Sequence, residues 1–255
     1  MPVASHAQPF FADARPGADE QRVGVLLSHG FTGSPASMVP WGRRLAEEGF
    51  GVSVPRLPGH GTSWQEMNRT RWQDWYAEIS RSFDKLAAAC DVVVVGGLSM
   101  GGGLALRLAA DRGQQVAGVM LVNAAVASDN KQLVAVPVLK HVVSSRPGIV
   151  NDIKKPGQDE YGYDRLPLKA LHSMLGGWKE LRPDLPKVTQ PLVHFRSAED
   201  HVVDPSSSRI IASTVSSRDV TERILENSYH VATLDNDAPE IFEESVKFVR
   251  RVTGP

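Results

Sequence analysis

Residues 92–103 read VVVVGGLSMGGG, and few local arrangements can satisfy that order. Four consecutive valines make an unbroken apolar run of the kind that a parallel sheet buries on both faces. Glycines follow at once, with one hydroxyl at the centre of Gly97-Leu98-Ser99-Met100-Gly101, and the helical pattern LALRLAADRG (104–113) comes next. A chain that turns sharply from strand into helix strains its central residue, at a cost on the order of 1–3 kcal/mol. Neighbouring backbones then come too close for a Cβ, and glycine removes that clash. The product is a serine hydroxyl exposed at the carboxyl end of a sheet, beside a helix N-terminus. A phosphate-binding loop would need GxxxxGK[ST] or GxGxxG, and neither occurs. Ser99 therefore reads as a nucleophile.

The rest of the chain repeats the alternation of strand and helix. RVGVLLSH (22–29), GFGVSVP (49–55), QVAGVMLVNAA (115–125), PLVHFRSAED (191–200) and VTERILEN (220–227) read as strands. Helices are predicted at 35–49, 71–88, near 205–215 and at the C-terminus. In the second, Trp72, Trp75, Tyr76, Ile79, Phe83 and Leu86 fall on one face; in the last, Ile241, Phe242, Ser245, Val246 and Val249 do. Strands separated by helices imply right-handed crossovers, so the fold class is α/β, with a mostly parallel central sheet flanked by helices. Residues 126–190 break the rhythm and are too long for a plain loop. They hold LVAVPVLKHVV (133–143), a Gly/Pro/charged stretch and PLKALHSMLGGW (167–178). A small inserted cap, or lid, is expected there, with residues 1–125 and 191–255 forming the core.

A serine hydroxyl is a poor nucleophile at neutral pH and needs a base. The chain has eight histidines. His230, in ENSYHVATLD, follows the last strand, where a loop carries it over the sheet's carboxyl end. His194 lies inside a strand pattern and reads as core, and His6, His141 and His172 lie in the tail or cap. The base needs a carboxylate to hold its tautomer, and Asp200 ends a strand at the same edge. Asp204 and Asp235 compete, although Asp204 reads better as a helix cap; Glu199 points away from Asp200 by alternation. Two backbone amides should meet the oxyanion: Met100, directly after the nucleophile, and Phe31, in the glycine-bearing loop SHGFTGSP (28–35). His29 and His60 read as loop-shaping residues.

Bulk composition narrows the partners. The 255 residues carry 28 basic and 29 acidic side chains, a balance that offers no electrostatic case for nucleic acid or an anionic membrane. Cys90 is the single cysteine, so no intrachain disulfide forms, and it reads as an inert thiol. The longest apolar run, VAGVMLVNAAVA (116–127), is too short to span a bilayer, and the first twenty residues lack the basic-then-apolar order of a secretory leader. A cytoplasmic location follows as the default.

Together HGFTGSP, PRLPGHGT, GLSMGG, SAEDHVVDP and NSYHVATLD resemble the bacterial monoacylglycerol lipase and carboxylesterase family of α/β-hydrolases. The likeness runs from about residue 22 through the cap to the last helix. It implies a Ser99, Asp200 and His230 triad, oxyanion amides at Phe31 and Met100, and acyl transfer from a small ester or lipid to serine and then to water, with no metal or cofactor. It also implies that Glu160, in NDIKKPGQDEYGY (151–163), meets the hydroxyls of a glycerol head group. The apolar LVAVPVL is expected to line an acyl tunnel or touch lipid transiently. A short-chain carboxylesterase or thioesterase would share the triad; a non-catalytic protein on the same fold usually lacks one of its members.

Overall fold

The valine run lies at the middle of the sheet. The computed structural model describes residues 3–16 and 21–254. Residues 1, 2 and 17–20, part of the segment read as lacking a leader, lie outside the described residues, as does 255. In chain order the elements are β1 (Phe10–Ala12), β2 (Val23–Ser28), α1 (Val39–Glu47), β3 (Gly51–Val54), α2 (Trp64–Met67), α3 (Trp72–Ala89), β4 (Val92–Leu98), α4 (Met100–Arg112) and β5 (Val116–Val122). Then come α5 (Val136–Leu139), β6 (Ser145–Pro147), β7 (Arg165–Pro167), α6 (Leu168–Leu181), β8 (Leu192–Ser197), α7 (Ser206–Thr214), β9 (Val220–Leu225) and α8 (Ala238–Thr253).

The seven-stranded sheet runs β1-β3-β2-β4-β5-β8-β9. Every pairing is parallel except β1 with β3, where Phe10 lies opposite Val54. The chain goes outward from β2 to β3, then returns to place β4 on the other side of β2. That reversal opens a crevice at the carboxyl ends of β2 and β4, where open α/β sheets bind ligands. Strand β1 is absent from the sequence prediction, because three residues carry no usable period.

Alternation along the central strands builds two cores. Leu26, Val93, Val95, Val119 and Leu121 face α3, α4 and α6. Val25, Leu27, Val94, Met120, Val122 and Phe195 face α1 and α8 with Trp41, Leu45, Ile241 and Val249. The predicted faces of α3 and α8 are buried except at their margins. Tyr76 is half-buried, its hydroxyl donating to Asp111, and Phe242 packs partly exposed. The helix predicted at 35–49 divides: Ser34 Oγ accepts the Ala36 amide at 3.3 Å and holds a 3-10 turn, Pro35–Ser37, before α1 begins.

Residues 126–190 lie between β5 and β8 and include the antiparallel pair β6–β7. Their apolar side is continuous with one sheet core: Leu168, Leu171, Met174, Trp178 and Leu181 join the cluster that holds Trp72 and Leu104. Gly177 allows this approach, since a Cβ there would lie 2.2 Å from Trp72 Cδ2. Among the described residues, no helix is long and apolar enough to cross a membrane.

Candidate active site

Ser99 occupies the corner between β4 and α4 with φ 56° and ψ −122°. Hydrogen bonds fix this strained conformation: its amide donates to Val122 O at 2.9 Å, and its carbonyl accepts from Gly102 and Ala125, each at 3.0 Å. A Cβ on Gly97 would lie 2.2 Å from Gly101 C, and one on Gly101 would lie 2.1 Å from Ser28 O. Both obstacles are backbone, and the second belongs to a strand already paired on both sides, so neither can yield. Gly101→Ala is expected to cost about 3 kcal/mol or more, as overpacking does where the surroundings cannot relax. A lowered midpoint of denaturant unfolding at unchanged slope would register it; a change under 1 kcal/mol would be contrary to the corner's geometry.

The loops after β8 and β9 bring two predicted partners together. His230 Nδ1 lies 2.9 Å from Asp200 Oδ2, and both side chains are nearly buried. The other carboxylate oxygen of Asp200 accepts the amides of Val202 and Val203 at 2.8 Å each. Burial works against the charge on Asp200, but the imidazole and these amides outweigh it and hold its carboxyl below the usual range. Burial likewise disfavours a protonated His230, and the Asp200 charge and hydrogen bond, with Glu160 and Asp152 behind them, overcome it and raise its pKa. An Nδ1–H donated to Asp200 leaves Nε2 as the basic nitrogen. Ser99 and His230 line the same cavity.

Two supporting residues have no signal in the sequence. Asn123, at the end of β5 with φ 44°, accepts the Ser197 amide at 2.8 Å and donates to the His230 carbonyl at 2.8 Å. Asp152, from the inserted segment, accepts the His230 amide at 3.1 Å. Nothing in the spacing of either residue relative to position 230 marks it; only the buried left-handed backbone at Asn123 is the kind of feature a local pattern could have suggested.

The loop after β2 passes close to the serine. A Cβ on Gly30 would lie 3.3 Å from Ser99 Cβ. Phe31 lines the cavity, whereas Met100 is fully buried at the first position of α4 and is not among the cavity-lining residues. Among the described residues, neither amide donates to a protein acceptor. His29 and His60 shape this loop, as the sequence suggests. His29 Nδ1 bonds Gly30 O at 3.0 Å while Nε2 accepts the Leu57 amide at 3.2 Å, which requires a neutral ring. Burial lowers its pKa to about 4 and holds that of His60 well below its ordinary value, aided by His29. The two rings meet edge to face at 4.9 Å.

The cavity measures about 500 Å³, a volume suited to a small-molecule ligand. Its apolar wall includes Leu133, Val136, Leu139, Leu171, Met174 and Trp178. The LVAVPVL stretch thus divides its side chains, because Val134 and Val138 are 82% and 70% exposed on the outside. Glu160, Thr32, Ser99 and His230 add polar groups to the lining. Glu160 is half-buried, with Oε1 accepting the Asn151 amide and its own amide donating to Asn151 Oδ1, each at 2.9 Å. Burial pushes its carboxyl upward, aided by Asp159 and Asp152 and opposed by the Asn151 amide and His230.

The competing residues sit elsewhere. Asp204 accepts the Ser206 amide at 2.9 Å at the start of α7, and the Asp129 amide at 2.8 Å. Asp235 accepts the amides of Lys154, Lys155, Tyr229 and Asn236 and makes no bond to the imidazole. His194 is buried with Nε2 unpartnered and its pKa lowered by burial to about 4. Glu199 Oε1 lies 3.3 Å from His201 Nε2. Cys90 is buried, its thiol pushed up by that burial.

The chain and its fold resemble known proteins. The family model for Hydrolase_4, described as serine aminopeptidase S33, matches residues 19–237. The chain belongs to the Hydrolase_4 family. This Hydrolase_4 member has the α/β-hydrolase fold. It is 38% identical to the thermostable monoacylglycerol lipase of Bacillus sp. (strain H-257), over 99% of this chain and 98% of the relative. A solved structure from work on LipS and LipT, two metagenome-derived lipolytic enzymes, is 38% identical with a TM-score of 0.93, covering 98% of this chain and all of that one. A soluble variant of monoglyceride lipase from Saccharomyces cerevisiae, at 16% identity and a TM-score of 0.81 over 100% and 97% of the chains, shares the fold.

Proposed function

We propose that the chain hydrolyses monoacylglycerols to glycerol and fatty acid through an acyl-enzyme on Ser99. That it is a carboxylic ester hydrolase rests on its family and on its near-full-length likeness to a monoacylglycerol lipase. The reading of individual roles rests on one observation above all: His230, bonded to Asp200 behind it, lines the same cavity as the strained serine. In this mechanism His230 Nε2 takes the Ser99 proton as Oγ attacks the ester carbon, and the imidazolium then protonates the departing alcohol oxygen. Asp200 holds the tautomer and balances the imidazolium charge. The amides of Phe31 and Met100 receive the oxyanion, Met100 aided by the α4 dipole. Water repeats the cycle on the acyl-enzyme.

Residues 126–190 act as the cap. Its inner leucines, with Met174 and Trp178, take the acyl chain, and Glu160 meets the glycerol hydroxyls at the opposite end. A carboxylate accepts hydrogen bonds from a diol well. The exposed Val134, Val138, Val142 and Ile149 give the cap an apolar outer surface for transient contact with lipid. A cytoplasmic location belongs to the same proposal and rests on the lone buried thiol.

Head-group recognition is tested by comparing a monoacylglycerol with the methyl ester of the same acyl chain. Wild type should prefer the first. Glu160→Ala should lose about 10–100-fold in kcat/KM on the monoacylglycerol alone, the worth of a charge-assisted hydrogen bond of about 1.5–3 kcal/mol. Equal specificity constants, unmoved by the substitution, would reject the glycerol reading. An acyl-length optimum at two to four carbons would favour a short-chain esterase instead.

A further inference from the structure

Side chains from distant parts of the chain hold both backbone polar groups of His230. Its carbonyl accepts from Asn123, and its amide donates to Asp152 Oδ2. The same oxygen of Asp152 accepts the His201 amide at 3.2 Å, and Oδ1 lies 2.7 Å from His201 Nδ1. His201 directly follows Asp200. One carboxylate of the cap therefore receives donors from the two loops that present the acid and the base.

Its chain neighbours extend the attachment. The Asp152 carbonyl accepts the Val231 amide at 3.1 Å, while Asn151 and Glu160 bond reciprocally. The amides of Lys154 and Lys155 donate to Asp235 at 2.7 and 2.8 Å, and Asp235 also holds the Tyr229 amide. Residues 151–155 thus form a strap that grips the His230 loop on one side and the proposed head-group carboxylate on the other.

We propose that Asp152 is a positioning residue, which sets the register of the His230 imidazole against Asp200 and ties that register to the seating of the cap. The proposal rests on the ester-hydrolase reading of Ser99. Chemistry explains why a carboxylate stands here. Three donors converge on two oxygens, and a carboxylate offers acceptors at both, whereas an amide would turn an NH₂ toward donors. The charged groups facing the imidazole are Asp200 from the β8 loop and Glu160 and Asp152 from the cap, with the titratable His201 ring bonded to the far oxygen of Asp152. Each negative charge favours the imidazolium, so removing one lets the base become neutral at lower pH.

The test is kcat against pH, on a monoacylglycerol and on an activated aryl ester, for wild type, Asp152→Asn, Asp152→Glu and Ser99→Ala. Asp152→Asn should lose about ten- to a hundredfold in kcat, the scale of a small misplacement of a catalytic group, and its acid limb should move to lower pH. Asp152→Glu keeps the charge with altered reach, so kcat should fall while the limb stays. Should the asparagine variant fail to fold, the glutamate variant decides, and an undiminished kcat in it overturns the proposal. A fall in thermal stability with kcat and acid limb unchanged would mean a merely structural contact and also overturn it. Loss of turnover in Ser99→Ala secures the underlying mechanism independently; turnover surviving there would overturn both.

Discussion

Ser99→Ala is expected to lower ester turnover by about 10⁶, the loss seen when a serine hydrolase is deprived of its nucleophile. The substitution removes one oxygen from a side chain that is nearly buried at a corner fixed by backbone hydrogen bonds, so folding should be unaffected. His230→Ala should cost a similar factor, and the double variant little more, because nucleophile and base act as one unit. Steady-state turnover, with unfolding midpoints to confirm intact protein, measures all three. Multiplying losses in the double variant would mean that the two residues work in separate steps, and the proposed proton transfer between them would have to be abandoned. Labelling by a serine-directed organophosphorus reagent gives a second reading, expected in wild type and absent from Ser99→Ala.

Asp200→Asn should cost about 10⁴ in kcat. The carboxylate now accepts at Oδ2 from His230 and at Oδ1 from two backbone amides. An asparagine that keeps its carbonyl oxygen toward those amides turns its NH₂ toward Nδ1. The imidazole must then accept at Nδ1 and carry its proton on Nε2, where it cannot receive one from serine. The pH profile should change in a definite direction. In wild type the His230 pKa lies above its ordinary value, and only neutral imidazole is a base, so activity falls as pH drops through that raised value. Without the Asp200 charge, burial dominates and the limb should move to lower pH. A loss of tenfold or less, with an unmoved limb, would show that Asp200 neither fixes the tautomer nor supports the charge.

The same linkage bears on stability. A histidine whose folded pKa is raised contributes stabilisation that is fully present below its unfolded value and lost as pH rises through the folded one. Asp200 runs the other way: its depressed carboxyl contributes above the unfolded value and loses that contribution as pH falls through the folded one. Activity and the histidine contribution to stability therefore favour opposite pH ranges, as expected where a group that must be neutral to act as a base lies among carboxylates that favour its charged form.

The sequence by itself determined the corner, the sheet apart from its edge strand β1, and the order in which Ser99, Asp200 and His230 follow one another. These are local or periodic properties. Gly97 and Gly101 are required by atoms within the turn and on the adjacent strand, and alternation along 92–98 and 116–122 follows from strand geometry whatever the partner. Strand ends then delivered Asp200 and His230 to one edge without further information. The tertiary structure alone decided the rest. Asp152 reaches the His230 amide across 78 positions, Asn123 reaches its carbonyl across 107, and the inward or outward choice within 133–139 depends on what the inserted segment packs against. Such contacts form between irregular segments, where no repeat links the position of a residue in the chain to the direction its side chain takes.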